Sequence, residues 1–165
     1  MRTLLIVPGL FGTEILDPAS GPIWGPFSCL YRGPLIGELP RPREAAGRVL
    51  FGISLGPLML YDIIGALVRQ LERAGYHLGK TMFFHAYDWR QRVIEEGPVL
   101  AAEIRRLAEA SGGPVDLLGL SNGACTLRAA FAADRDLPVE RVVLSGAPLA
   151  GSVETLSVLN AGFQL

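Results

Sequence analysis

Gly119-Leu120-Ser121-Asn122-Gly123 follows the short apolar run Pro114 to Leu118 and leads into an alanine-rich stretch, Ala124 to Ala133. The spacing G-x-S-x-G in such a place predicts a serine on a sharp strand-to-helix turn, its hydroxyl exposed at the end of the strand. The glycines have a steric reason. A side chain two positions before or after the serine would collide with the neighbouring strand or helix, and the turn demands uncommon backbone angles. A serine presented in this way is a candidate nucleophile for ester cleavage or acyl transfer.

The spacing alone is weak, because the chain holds 20 glycines and a second copy stands at Gly52-Ile53-Ser54-Leu55-Gly56. Context chooses between them. Ala101 to Ala110 has apolar residues at helical spacing, with Pro98 near its start and Gly112-Gly113 just after its end, where helix signals belong. Pro114 to Leu118 then reads as a buried strand, Ala124 to Ala133 as a second helix, and Arg141 to Ser145 as a further strand. That alternation predicts an α/β fold, a parallel sheet with crossover helices. Ser121 falls at the carboxyl end of its strand, where open α/β sheets place their ligands. Around Ser54, Val49 to Phe51 could form a strand and Tyr61 to Arg73 a helix. Yet Pro57 follows the second glycine, and a segment rich in proline and glycine precedes the strand where a crossover helix would stand. Ser121 is therefore the expected nucleophile and Ser54 a loop or strand-end residue.

Composition fits a globular α/β domain. The chain has 165 residues, half of them apolar, enough to bury a sizeable core as one domain. A net charge of −1 with no basic cluster argues against nucleic acid as a partner. Cys29 and Cys125 show no metal-ligand spacing, and no metal or organic cofactor is expected. The opening MRTLLIV lacks the apolar core and cleavage region of a secretory signal and runs straight into a strand, Thr3 to Val7. With Met1 as the native start, the expected location is the cytoplasm. Val49 to Val68 carries a single charge, Asp62, and nearly reaches the length of a membrane span. Its glycines, Pro57 and Asp62 speak against spanning, and Ile63, Ile64, Leu67, Val68 and Leu71 recur at amphipathic spacing, so a packed crossover helix is expected.

Residues 1–165 read as one domain unit, with no internal repeat. Within it, residues 17–47 are rich in proline and glycine, with neither helical nor alternating period. So long a connection inside a compact domain is often a lid or binding loop. Trp24, Phe27, Tyr31, Leu35 and Ile36 give it an apolar character suited to covering a lipid-like substrate, although a loop packed on the body fits equally.

Four separated segments together resemble one family. They are Val7-Pro8-Gly9-Leu10-Phe11-Gly12-Thr13, Tyr87-Asp88-Trp89-Arg90, the segment around Ser121, and Ser145-Gly146-Ala147-Pro148-Leu149-Ala150-Gly151-Ser152. In this order, with YDWR the most specific, they are similar to the lecithin:cholesterol acyltransferase family, which includes phospholipases and phospholipid:diacylglycerol acyltransferases. The chain departs from it at Leu120, Asn122 and Ala124, where the family usually has histidine, a short apolar residue and a further glycine. The resemblance implies an α/β-hydrolase fold, a lipid ester substrate, and an alcohol or water acceptor. It is compatible with peripheral contact with a membrane or lipid surface. It also implies that the backbone N–H groups of Leu10 and Asn122 form the oxyanion hole. General reasoning reaches the same pair, since such holes combine the amide after the nucleophile with one from the loop after an early strand. Asp88 and Arg90 are expected to form a buried ion-pair brace, and Trp89 is a candidate for the acyl-pocket wall.

A nucleophilic serine needs a base, usually a histidine oriented by a carboxylate, in the chain order serine, acid, histidine. The chain has only His77 and His85, both before Ser121, and both are expected to be structural. Asp134, Asp136 and Glu140 come too early for the acid, and Glu154 falls just after the next strand. The expectation is that residues 1–165 form the N-terminal part of a longer enzyme whose acid and histidine lie beyond Leu165, and that this stretch alone is inactive. A serine esterase of another family, and a non-catalytic module that keeps the serine turn, remain the alternatives.

Overall fold

The computed structural model describes residues 2–19, 21–25, 45–55, 58–62 and 64–153. Its centre is a sheet of four parallel strands: β1 (Leu4–Val7), β7 (Met82–Phe84), β8 (Val115–Leu120) and β9 (Val139–Ser145), in the order β7-β1-β8-β9. Three helices accompany it, α1 (Gly65–Arg73) before β7, α2 (Val93–Ser111) between β7 and β8, and α3 (Asn122–Ala133) between β8 and β9.

Strand alternation explains why the sheet needs helices on both sides. Successive residues point to opposite faces. Leu5, Val7, Val115 and Leu117 join Leu100, Ile104 and Leu107 of α2 and Leu127 of α3 in one core. Leu4, Ile6 and Met82 join Val68 of α1 in the other, with Leu71, Phe84, Leu118 and Leu120 at its margin. A strand buried on both faces has no polar side to show, hence the unbroken LLIV of β1. Each fully buried side chain of this size is worth roughly 1.5–3 kcal/mol, so the two cores are what hold the layers together.

From β1 the chain crosses to β7 on one side, then returns to β8 on the other. The connections that leave β1 and β8 therefore diverge, which makes their carboxyl ends a switch point, the place where open sheets bind ligands. Register brings those ends level. Val7 lies opposite Gly119, and Leu120 opposite Ser145.

The long excursion from β1 to β7 is more regular than its composition predicts. β2 (Thr13–Asp17), β3 (Gly21–Trp24) and β4 (Ala45–Val49) form an antiparallel sheet with β2 in the middle, and β5 (Gly52–Leu55) pairs with β6 (Leu58–Asp62) as a hairpin. The two ends of the 17–47 stretch thus pair as strands on β2 rather than forming an aperiodic loop. Ladder hydrogen bonds can supply order where side-chain period does not, as in β3, whose GPIW has too few residues to show a period. Residues 26–44, and with them the expected lid residues Phe27, Tyr31, Leu35 and Ile36, lie outside the described residues.

Element boundaries shift for local reasons. The helix expected from Tyr61 begins at Gly65, because Tyr61 and Asp62 pair in β6; the Asp62 carboxylate accepts the Ala66 N–H at 3.1 Å and pairs with Arg69 at 2.6 Å. α2 begins well before Ala101, with Glu95 and Glu96 in a first turn whose dipole favours acids and with Pro98 inside the helix. It stops at Gly112, which takes the left-handed conformation with φ 70°. Among the described residues no helix is long and apolar enough to cross a membrane, and the apolar stretch from Val49 resolves into strands and α1.

Candidate active site

Ser121 stands between the end of β8 and the first turn of α3, with φ 51° and ψ −119°. Among the described residues only Phe11 shares a positive φ without being glycine. A serine in this sparsely populated region costs on the order of 1–3 kcal/mol, and it persists because the surroundings leave no alternative. Its N–H donates to the Ser145 carbonyl at 2.8 Å, while its own carbonyl accepts the Ala124 N–H at 3.0 Å. The side chain is left exposed.

The flanking glycines are required by close approach. A Cβ on Gly119 would lie 2.8 Å from the Ala124 Cα and from the Leu127 Cδ1. One on Gly123 would collide with the Val7 carbonyl oxygen and sit 2.5 Å from that of Pro8. The second copy of the pattern is built otherwise. Ser54 lies within β5, in an antiparallel hairpin that is followed by β6 and not by a helix.

The loop after β1 folds against the same turn. A Cβ on Gly9 would lie 3.0 Å from the Ser121 Cβ and 3.5 Å from its Oγ. The Gly9 carbonyl accepts the Gly12 N–H at 3.2 Å. In a trans peptide the carbonyl and the following N–H point in opposite directions, so this bond turns the Leu10 N–H away from Gly12. None of the loop's backbone hydrogen bonds among the described residues uses the Leu10 N–H. The Asn122 N–H belongs to the first turn of α3, where helix geometry provides no internal acceptor. Among the described residues, the N–H groups of Leu10 and Asn122, on two segments that meet at the serine, thus have no backbone acceptor.

Aromatic residues brace the loop from behind. Phe11, Trp24 and Trp89 pack with ring centroids 4.7–5.6 Å apart. The two indoles donate to the loop's backbone, Trp24 to the Phe11 carbonyl at 3.1 Å and Trp89 to the Thr13 carbonyl at 3.0 Å. Trp89 is therefore buried against the loop as a support. Asp88 and Arg90 pair through two side-chain bonds, Nε to Oδ1 at 3.0 Å and Nη2 to Oδ2 at 2.8 Å, both groups nearly fully buried.

The two histidines are engaged elsewhere or stand apart. His77 is exposed and precedes β7, its carbonyl accepting the Met82 N–H, so it sits at the amino end of the parallel sheet, opposite the serine's end. His85 is buried, with both ring nitrogens engaged, Nδ1 with Glu103 at 2.5 Å and Nε2 with Glu96 at 2.9 Å. Burial pushes its pKa down, but hydrogen bonds and charge from Glu103 and then Glu96 outweigh it, raising the value to about 9. It is a charged, carboxylate-held group across neutral pH. The sequence reading missed this cluster, although two glutamates seven residues apart share one helix face and could have announced it. Among the described residues no group of histidine, cysteine and carboxylate side chains is arranged to hold a metal.

The family profile described as lecithin:cholesterol acyltransferase matches residues 55–165, two thirds of the chain. The chain belongs to the lecithin:cholesterol acyltransferase family. Its parallel sheet with helices on both faces is the α/β-hydrolase architecture of that family, and membership carries lipid acyltransferase- or lipase-like activity on lipid esters as the coarse function. The matched region contains Ser121, Tyr87 to Arg90 and the segment after β9, and it begins just after Ser54. Comparison with curated proteins finds no match.

Proposed function

We propose that Ser121 is the nucleophile of a lipid ester acyltransferase or lipase working through a serine acyl-enzyme. The hydroxyl attacks the ester carbonyl, the alcohol leaves, and the acyl group passes to an alcohol or to water. The Leu10 and Asn122 N–H groups receive the negative charge that develops on the carbonyl oxygen. Such preorganised donors act most strongly where charge appears only in the transition state. The observation that carries this reading is the exposed Ser121 on its positive-φ turn at the switch point, with the Gly9 loop packed against it. The reading assigns the base and its orienting acid to a histidine and a carboxylate beyond Leu165, since both nitrogens of His85 are taken and His77 lies at the far end of the sheet. Residues 1–165 alone would then turn over little ester.

Reaction of the full natural protein with a fluorophosphonate probe tests the assignment. Labelling is expected to vanish in Ser121→Ala and to persist in Ser54→Ala. Labelling that survives Ser121→Ala and disappears in Ser54→Ala would overturn it. The 165-residue chain is expected to label at least about 100-fold more slowly than the full protein, the scale of a missing general base.

A further inference from the structure

Tyr87 lies at the junction of the two donor-bearing segments. Its hydroxyl donates to the Pro8 carbonyl at 3.0 Å and accepts from the Asn122 side-chain amide at 3.1 Å. The phenol is 2 % exposed. Its ring stacks on the His85 imidazole, with centroids 5.7 Å apart and planes 18° from parallel. His85 is in turn gripped by Glu103 and Glu96 of α2. Burial raises the phenol above the ordinary tyrosine range, so it keeps its proton and remains a donor over the whole working range of pH.

The geometry of these bonds reaches the backbone donors. Holding the Pro8 oxygen sets the plane of the Pro8–Gly9 peptide, and the Gly12 N–H sets the plane of the next, Gly9–Leu10. The Leu10 N–H therefore has one direction available. On the other side, the Asn122 side-chain amide donates to the Tyr87 hydroxyl at the first residue of α3, which ties the residue whose backbone N–H is in question to the same phenol. A leucine or methionine at position 122 could pack there but could not make that bond, because neither carries a donor.

We propose that Tyr87 is a positioning residue for the oxyanion hole, its hydroxyl a strut that fixes the Leu10 and Asn122 N–H groups relative to each other. It acts through the Pro8 carbonyl and the Asn122 side chain, and touches no reacting atom. The proposal rests on Ser121 as nucleophile. It explains why a polar side chain stands beside the serine: Asn122 there completes a hydrogen-bond chain from the helix to the loop, in which the phenol both accepts and donates.

Tyr87→Phe, Asn122→Leu and the double variant of the full natural protein test the strut, with Ser121→Ala in parallel. The readouts are the fluorophosphonate labelling rate, kcat and KM on p-nitrophenyl butyrate, and thermal midpoint. Removing an oxyanion donor outright costs about 100–1000-fold, so a donor left in place but loosely aimed should cost about 10-fold. The expected result is a fall of that size in labelling rate and kcat for Tyr87→Phe, with KM unchanged within about twofold. Asn122→Leu should lose less, and the double variant should be no slower than Tyr87→Phe, because both cut one chain. A Tyr87→Phe protein that melts earlier but labels at the wild-type rate, or losses that multiply in the double variant, would overturn the strut. Labelling that survives Ser121→Ala overturns the nucleophile and the strut with it. Labelling abolished in Ser121→Ala but unmoved in Tyr87→Phe overturns the strut alone.

Discussion

At the scale of single residues, the backbone around Ser121 stores strain that its neighbours hold in place. Gly123→Ala tests this most severely, because the new methyl would meet the Val7 and Pro8 carbonyl oxygens, backbone atoms of a central strand end that cannot turn aside. A loss of about 3 kcal/mol or more is expected, read as a lower urea midpoint or as failure to fold. Gly9→Ala should behave differently. Its methyl would press on the Ser121 Cβ at 3.0 Å and the Leu120 oxygen at 3.1 Å, and the loop can yield by a few tenths of an ångström. That displacement should slow fluorophosphonate labelling about 10-fold while the urea midpoint stays within about 1 kcal/mol of wild type. The sequence carried the pattern at two serines, 54 and 121, and the surrounding helix–strand order separated them. The letters announced an uncommon backbone angle at Ser121, where φ is 51°; what they could not carry is the nearness of Gly9, since it depends on strands meeting in space.

At the scale of elements, α2 is fastened to the sheet and to α3 by two features the sequence reading did not anticipate. The first is the His85–Glu96–Glu103 cluster, which links the segment after β7 to α2. The folded pKa of His85, about 9, lies above its ordinary value of 6.5. Its contribution is therefore complete below pH 6.5 and lost as pH rises through 9. That contribution is on the order of 3 kcal/mol. Urea unfolding should show wild type losing about that much more stability than His85→Gln between pH 6 and pH 9.5. Equal slopes for the two proteins would refute it. The second is Gly97, where a Cβ would fall 2.7 Å from the Ala129 carbonyl group of α3. Gly97→Ala should push the two helices apart at a cost of about 2 kcal/mol, seen as an earlier thermal midpoint. Helix existence was legible from apolar spacing, Gly112 and the alanine-rich runs. Helix starts were not, because Tyr61 and Asp62 are drawn into β6 ahead of α1 and α2 admits Pro98 near its start.

At the scale of the whole molecule, β9 is the exposed end of the parallel sheet. Val142, Val143 and Leu144 are all exposed, Val143 at 57 %, and among the described residues no strand pairs with the outer side of β9. An open edge carrying apolar side chains is a template for association. The 165-residue chain produced by itself should therefore self-associate as its concentration rises, by light scattering, and Val143→Lys should reduce this. A chain that stays monomeric at high concentration would show that other residues cover the edge. The sequence by itself determined the layered α/β class, the place of Ser121 at a strand's carboxyl end, and the family resemblance carried by PGLFG, YDWR and SGAPLAGS, because these follow from local period, turn chemistry and short contiguous motifs. The tertiary structure alone decided the strand order β7-β1-β8-β9, the order in the excursion after β1, the bond from the Trp89 indole to the Thr13 carbonyl, and the joining of Pro8, Tyr87 and Asn122. Each of those depends on contacts between residues far apart in the chain, and no local pattern encodes which distant partner a strand edge, an indole or a phenol will meet.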